Sequence, residues 1–522
     1  MDPRDKERVV VEVVQRVFDR HADPHTAERA LFDTIYEERH RLETARGAER
    51  DAGQAAFYDM VYHEAVHASP DRHRALLKEI ITSFAEEVAG HFDPKVYALA
   101  TKAIPTAMVG LLNTMSPLKL VSGGLGSIDD SFVIEGEVEA FKAAARIGTT
   151  VLVPTHSSHL DSILAGYAIY RMGLPPFVYG AGLNLFHNRL VGYFMHNLGA
   201  YKVDRRKKAP LYKDVLKTYA GCSMELGYHN LFFPGGTRTR SGAVEKRLKL
   251  GLLGMGLDAF VHNLIAKRPR PDVFIVPCTI NYQLVLEAET LIDDHLKEVG
   301  KSRYIIEDDE FSKPRRVLDF VKQLASLNSR IHLTVSRPLD VFGNEVDAQG
   351  RSLDRRGRPV DRTRYVMRDG APAFDDQRDQ EYTRELAAEI VESYRRDTVL
   401  NSTHLVAFTV FRWLRDRNPG MDVYRLLRTG GGEESMPLTD AYARVERTLE
   451  SLRRHADGGR VRLDGSLRDK DTVALVNEAL AHLRSYHRQP ALTRKGDRLF
   501  HVDRNLLLYY QNRLADLPLG LN

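Results

Sequence analysis

Thr149-Thr150-Val151-Leu152-Val153-Pro154-Thr155-His156-Ser157-Ser158-His159-Leu160-Asp161 begins as a β-branched run and ends at an aspartate just ahead of an apolar helical run from Ser162. A strand that feeds a helix through a short loop is the building unit of an α/β fold. The same layout puts the His156 imidazole at a strand end and the Asp161 carboxylate about one helical turn away. That is near enough to fix the imidazole tautomer and to favour its protonated form during proton abstraction. Alone the pair is a weak motif, because two solvated residues in any strand-to-helix loop share its spacing.

Working outward, short β-branched and aromatic runs alternate with helical stretches from about 130 to 345: Val151 to Val153, Phe177 to Tyr179, Tyr201 to Val203, Leu231 to Phe233, Val273 to Ile280 and Ile331 to Val335. The expectation is an α/β region over 129–345 with a mixed, largely parallel sheet and its functional loops at the carboxyl ends of the strands. Before it, apolar residues recur at three and four, as in Val10, Val13, Val14, Val17 and Phe18, so 1–128 reads as a helical N-terminal domain punctuated near its end by Pro117 and Gly123-Gly124-Leu125-Gly126. Over 346–380 the chain is charged and glycine-rich, with an internal echo between Asp347-Ala348-Gln349-Gly350-Arg351 and Asp354-Arg355-Arg356-Gly357-Arg358. Each copy reads as a turn in which glycine supplies positive φ, making this a linker or hairpin. Helical spacing then returns at Leu386, Ile390, Val391 and Tyr394, and 381–522 reads as a helical C-terminal domain.

A chain of 522 residues is too long for one ordinary core, and 43% hydrophobic residues suffice for several. A net charge of +4 is slight, and the aromatic-rich basic signatures of nucleic-acid readers are missing, so any anion site must be local. Cys222 and Cys278 lie in apolar or strand-like contexts without a Cys-x-x-Cys, which fits packing in a reducing cytosol. The first residues are charged with no apolar signal core behind them, so secretion is not expected. The best candidate for a membrane span, Ile104 to Val121, is interrupted by Pro105, Asn113, Pro117 and Lys119, so no bilayer crossing is expected.

Three segments follow the His/Asp pair in order. Leu198-Gly199-Ala200-Tyr201-Lys202-Val203-Asp204-Arg205-Arg206 is a short strand that delivers two cations to a loop. Phe232-Phe233-Pro234-Gly235-Gly236-Thr237-Arg238-Thr239-Arg240-Ser241-Gly242 ends a strand in glycines that expose backbone N–H groups beside two more arginines, whose planar forks suit phosphate oxygens. Phe274-Ile275-Val276-Pro277 is a buried-strand pattern that ends in proline. A base beside a compact set of phosphate-binding cations suggests deprotonation of a hydroxyl on a phosphorylated small molecule.

In this order the segments resemble the four blocks of the glycerolipid acyltransferases: His-x4-Asp, Gly-x-x-x-(Ile/Val)-x-Arg, Phe-Pro-Glu-Gly-Thr-Arg-Ser and a Val-Pro strand. The glycerol-3-phosphate branch is similar in further detail, through Gly180-Ala181-Gly182-Leu183-Asn184-Leu185 and the Arg238-Thr239-Arg240-Ser241-Gly242 echo of its Arg-Ser-Arg-Thr-Gly. The resemblance implies acyl transfer from acyl-CoA or acyl carrier protein to the sn-1 hydroxyl of glycerol 3-phosphate, giving lysophosphatidate, with no cofactor and no metal. It implies His156 as general base, Asp161 as its orienter, and Arg205 and Arg238 on the acceptor's phosphate with Arg206 and Arg240 flanking. Gly236 and Thr237 would shape the loop and Pro277 would close the pocket wall. His159 is expected to point away from His156.

One departure stands out: where the family block carries glutamate, this chain has Gly235. The loss opens dihydroxyacetone phosphate and 1-acylglycerol 3-phosphate as alternative acceptors, and a weakened protein that only binds acyl donors or lipids as an alternative class. A carboxylate from elsewhere in the chain could substitute, and the sequence does not single one out. A rival reading comes from His63-Glu64-Ala65-Val66-His67, the zinc-hydrolase pattern, with Glu86 or Glu87 as a third ligand; helix surface is its plain alternative. Gly251-Leu252-Leu253-Gly254-Met255-Gly256 has the wrong spacing for a dinucleotide loop and reads as helix packing. Because acyl chains are insoluble, peripheral attachment to the cytosolic membrane face is expected, through Met108 to Leu120 or Phe186 to Met195.

Overall fold

A computed structural model describes residues 1–45, 51–101, 132–183, 189–299, 316, 329–432, 434–484 and 487–520. The expected boundary at 128 and 129, the glycine cluster at 123–126, the interrupted apolar stretch 104–121, the membrane candidate 108–120, residues 184–185 of the 180–185 segment and residues 186–188 of the second membrane candidate lie outside the described residues.

β2 (Thr149–Pro154) is buried along its whole length, as a β-branched run covered on both faces should be. Around it lie β1 (Phe132–Gly136), β3 (Val178–Gly182), β4 (Ala200–Val203), β5 (Asn230–Leu231), β6 (Val273–Tyr282) and β7 (Ile331–Val335), in the order β1-β7-β6-β2-β5-β3-β4. β6, β2, β5, β3 and β4 are mutually parallel, while β7 pairs antiparallel to β6 and carries β1 beside it. The architecture is therefore α/β with a mostly parallel sheet and helical regions on either side.

One strand escaped the sequence pattern: only Phe132 of the five residues of β1 is fully buried. β6 runs from Val273 through Pro277 and extends two residues past Ile280 to Tyr282. Ile275 exchanges backbone hydrogen bonds with Leu339, and β7 pairs from Cys278 onward, so the missing N–H of Pro277 falls where one partner hands over to the next.

Alternate residues of the central strands face different layers. Val151, Val153 and Ile275 join a core containing Val9, Val13 and Val17 of α1 (Pro3–Arg20), Ile80 and Phe84 near the C-terminal end of the N-terminal helices, and Tyr394. Leu152, Val276 and Ile280 join the opposite core, with Leu405, Val406 and Trp413. The N-terminal helices are α1, α2 (Pro24–Thr44), α3 (Ala52–Ala65) and α4 (Pro70–Val88). The sheet's own helices are α5 (Val138–Ile147), α6 (Leu160–Arg171), α7 (Arg189–Asn197), α8 (Pro210–Glu225), α9 (Leu250–Ile265) and α10 (Ala288–Val299). The C-terminal part brings α11 (Asp376–Asp397), α12 (Ser402–Arg417), and further on α13 (Arg504–Gln511). Each fully buried Val, Leu or Ile at these faces contributes about 1.5–3 kcal/mol relative to exposure.

The echo at 346–380 is a repeated turn in space as well as in sequence. Asp347 Oδ1 accepts the N–H groups of Gln349 and Arg351, each at 2.9 Å, and Asp354 Oδ1 accepts those of Arg356 and Arg358, each at 2.9 Å. Gly350 and Gly357 supply φ values of +78° and +75°. The glycine-rich stretch 251–256 lies inside α9, where Gly256 lets the helix approach Ile275 of β6. Both cysteines are free and buried. Among the described residues no helix is long and apolar enough to cross a membrane.

Candidate active site

The site forms where β2 ends. The β2–β6 pairing stops at Pro154, and the next residues turn into α6, whose first turn carries Asp161. That carboxylate is fully buried and satisfied by four donors: the backbone N–H groups of Ser157 (2.6 Å) and Ser158 (2.8 Å), His156 Nδ1 (2.9 Å) and the hydroxyl of Tyr282. A carboxylate that receives Nδ1–H leaves Nε2 of His156 as the imidazole's free lone pair. Phe233 stacks on the imidazole, with ring centroids 4.1 Å apart and planes 24° apart. Burial lowers the His156 pKa from its usual value; Asp161 opposes this, while the nearby Arg238 and Arg205 charges add to the lowering. The imidazole is thus a neutral base at pH 7.

The loop after β5 folds over this end of the sheet. Gly236 adopts φ +78°, a left-handed conformation that suits glycine, and its N–H closes a turn onto the Phe233 carbonyl at 3.0 Å. Thr237 is exposed at the tip, and Thr239 N–H donates to the His156 carbonyl at 2.7 Å. Arg238 reaches buried Glu287, with Nη1 to Oε1 at 3.4 Å. Glu287 also accepts Ser158 Oγ at 2.7 Å and His159 N–H at 3.0 Å, so one carboxylate ties the arginine to the loop that bears the base.

The four arginines are not equivalent. Burial and the charges of Arg238 and Arg240 lower the pKa of Arg205, the signature of cations facing one another. Among the described residues no carboxylate pairs with Arg205. Arg206 instead clamps Asp204 of its own loop through two side-chain hydrogen bonds of 2.9 Å. Arg240 pairs with Glu298 at 2.8 Å. Pro277 is buried within β6 opposite Val153, beneath the strand end that carries His156. His159 caps α6, with its ring 6.4 Å from that of His156.

A base, its orienter and clustered cations at the carboxyl ends of parallel strands form the setting in which sequence relatives become informative. Residues 137–281 match the family model described as Acyltransferase. The chain is 33% identical over 176 residues to a glycerol-3-phosphate acyltransferase of Xylella fastidiosa (strain 9a5c), covering 33% of this chain and 19% of that protein. It is 30% identical over 194 residues to one of Ectopseudomonas mendocina (strain ymp), covering 37% and 21%. Residues 137–281 therefore carry an Acyltransferase-family domain. The chain covers only about a fifth of the length of these relatives.

Sequence reading of the acyltransferase domain missed Tyr282, Glu287 and Glu245, which accepts the His156 backbone N–H at 2.9 Å. No local spacing signals them, since they lie 121, 129 and 89 residues from their partners in the first block. The zinc-hydrolase pattern does not assemble. α3 stops at Ala65, so His67 lies beyond the helix, and Glu64 is exposed and bound to Arg72 at 2.5 Å. Among the described residues no group of three His, Cys, Asp or Glu side chains is placed to hold a metal ion.

Proposed function

We propose that this protein is a glycerol-3-phosphate 1-O-acyltransferase, moving an acyl chain from acyl-CoA or acyl carrier protein to the sn-1 hydroxyl of glycerol 3-phosphate and yielding lysophosphatidate for phospholipid synthesis. The observation that carries this reading is the neutral His156–Asp161 pair beside the Arg205, Arg238 and Arg240 charges. The arginines hold the phosphate of the acceptor and so bring its hydroxyl to Nε2 of His156. As Nε2 takes the proton, the alkoxide oxygen attacks the thioester carbonyl; the C–O bond forms, the C–S bond breaks, and the proton passes from the imidazolium to the departing thiolate. No covalent enzyme intermediate is required. The insolubility of the acyl chains assigns the protein, on this reading, to the cytosolic face of the membrane as a peripheral enzyme.

The test is a matrix of both thioester types against glycerol 3-phosphate, dihydroxyacetone phosphate and 1-acylglycerol 3-phosphate. Glycerol 3-phosphate is expected to give the highest kcat/KM. His156→Ala is expected to lower turnover about 10²- to 10⁴-fold with its circular dichroism unchanged. Absence of turnover in every cell of the matrix, or near-normal activity in folded H156A, sinks the reading.

A further inference from the structure

The peptide group of His156 stands beyond the end of the β2 ladder, where a buried N–H or C=O left unpaired is costly. The loop after β5 satisfies both: Thr239 donates to the carbonyl at 2.7 Å, and Glu245 Oε1 accepts the N–H at 2.9 Å. The loop can do so because it doubles back, with Lys249 N–H bonded to the Pro234 carbonyl at 2.7 Å. This brings the Glu245 carboxylate against Gly235. A Cβ on Gly235 would lie 3.0 Å from Cδ and Oε1 of Glu245 and 3.1 Å from Oε2, tighter than ordinary carbon contacts. Gly235 is absent from the positive-φ glycines, unlike its neighbour Gly236 at +78°. Space, not backbone conformation, is therefore what glycine provides at 235.

Glu245 Oε2 is shut off from solvent and has no hydrogen-bond partner, although the residue as a whole is half-buried. Asp161, Arg513 and Tyr394 are among the charged and titratable groups around it. Burial pushes its carboxyl up to about 8; the His156 N–H bond opposes the rise, Asp161 reinforces it and Arg513 opposes it.

We propose that Glu245 is a positioning residue of this active site: its carboxyl group occupies the side-chain volume left empty at Gly235 and holds the backbone of His156 in register with the phosphate-binding loop. The carboxyl group missing from the third block is thereby supplied from ten residues downstream. The proposal rests on His156 being the base, as in the preceding subsection.

Two linked experiments test it. In the thermal one, Gly235→Ala is expected to lower the unfolding temperature of the wild type but not of E245A, since the collision disappears with the carboxylate. In the kinetic one, E245A is expected to lose about 10- to 100-fold in kcat with little change in KM for glycerol 3-phosphate, the cost of a base displaced by a fraction of an ångström. E245Q, which keeps an acceptor oxygen for the His156 N–H, is expected to retain most of that activity. The double variant G235E/E245A, which returns the carboxylate from the other side, is expected to be more active than E245A. Equal thermal shifts for G235A in both backgrounds, wild-type kcat in E245A, or a double variant no better than E245A would each overturn the proposal. An inactive wild type that still shows the thermal coupling would overturn the acyltransferase reading while leaving the Gly235–Glu245 pairing supported.

Discussion

At His156 two influences oppose each other: burial and the neighbouring arginines lower its pKa, while the Asp161 carboxylate raises it. The neutral base is fully present above that pKa and is lost as pH falls through it. The pH profile of kcat/KM is therefore expected to be level through neutrality and to decline only below the ordinary histidine value of about 6.5. Asp161→Asn removes the influence that raises the pKa, so the acid limb should move to still lower pH while kcat drops by about 10²-fold or more from loss of the tautomer. A limb that moves upward would exclude Asp161 as the orienter. At the phosphate end, Arg205→Ala and Arg238→Ala should mainly raise KM for glycerol 3-phosphate, each removing a charge-assisted contact worth about 1.5–3 kcal/mol. Lysine at either position should rescue only in part, because it lacks the planar fork. Loss of acyl-donor affinity alone in both variants would reverse the assignment. These residues were legible because His156 and Asp161 share one short loop, and because the arginines follow strand ends. Glu245, Tyr282 and Glu287 were not, since a buried carboxylate or phenol gains its role only when the chain returns from far away.

Among the elements, β2, β6 and β7 announced themselves by runs rich in β-branched residues, and the structure buries every residue in each. The edge strand β1 did not, because a half-buried strand of five residues carries too little pattern. The reversal of β7 was also unreadable, since strand direction depends on the route of the intervening chain and not on composition. The repeated turns offer an internal comparison in which sequence and structure part ways. Gly350 and Gly357 share nearly the same φ, yet a Cβ on Gly350 would meet Ile147 Cδ1 at 2.2 Å whereas one on Gly357 meets nothing within 4 Å. Gly357→Ala is thus expected to cost only the left-handed backbone penalty of about 1–2 kcal/mol. Gly350→Ala adds a collision with the end of α5 and should destabilise distinctly more in chemical denaturation. Equal losses in the two variants would mean that the first turn is not packed on Ile147.

On the scale of the whole molecule, the acyltransferase domain shares its core with the C-terminal helices. The core on the Leu152, Val276 and Ile280 side of its sheet is shared with Leu405, Val406 and Trp413 of α12. Tyr394 of α11 donates to the Val153 carbonyl at 2.8 Å, and Asp397 accepts from Ser336 Oγ at 2.7 Å. The C-terminal end reaches the active-site loop itself: Asn512 donates to the Ser241 carbonyl at 2.8 Å, and Lys246 pairs with Asp516 at 2.7 Å. A Cβ on Gly242, which already sits at φ +78°, would lie 2.2 Å from the Tyr509 carbonyl oxygen. Two outcomes follow from this dependence. A fragment of residues 129–345 should be aggregated or lack a cooperative unfolding transition despite containing His156, Asp161 and all four arginines, because the apolar core it shares with the C-terminal helices would be left open to water. In the full chain, Gly242→Ala should leave the distant N-terminal helices intact yet displace the Tyr509 backbone from the loop that carries Arg238 and Glu245. Its signature is a lower kcat together with a lower unfolding temperature. A soluble, cooperatively folded fragment with full activity, or a G242A protein indistinguishable from wild type, would show that the C-terminal helices are an attachment and not a structural half of the site.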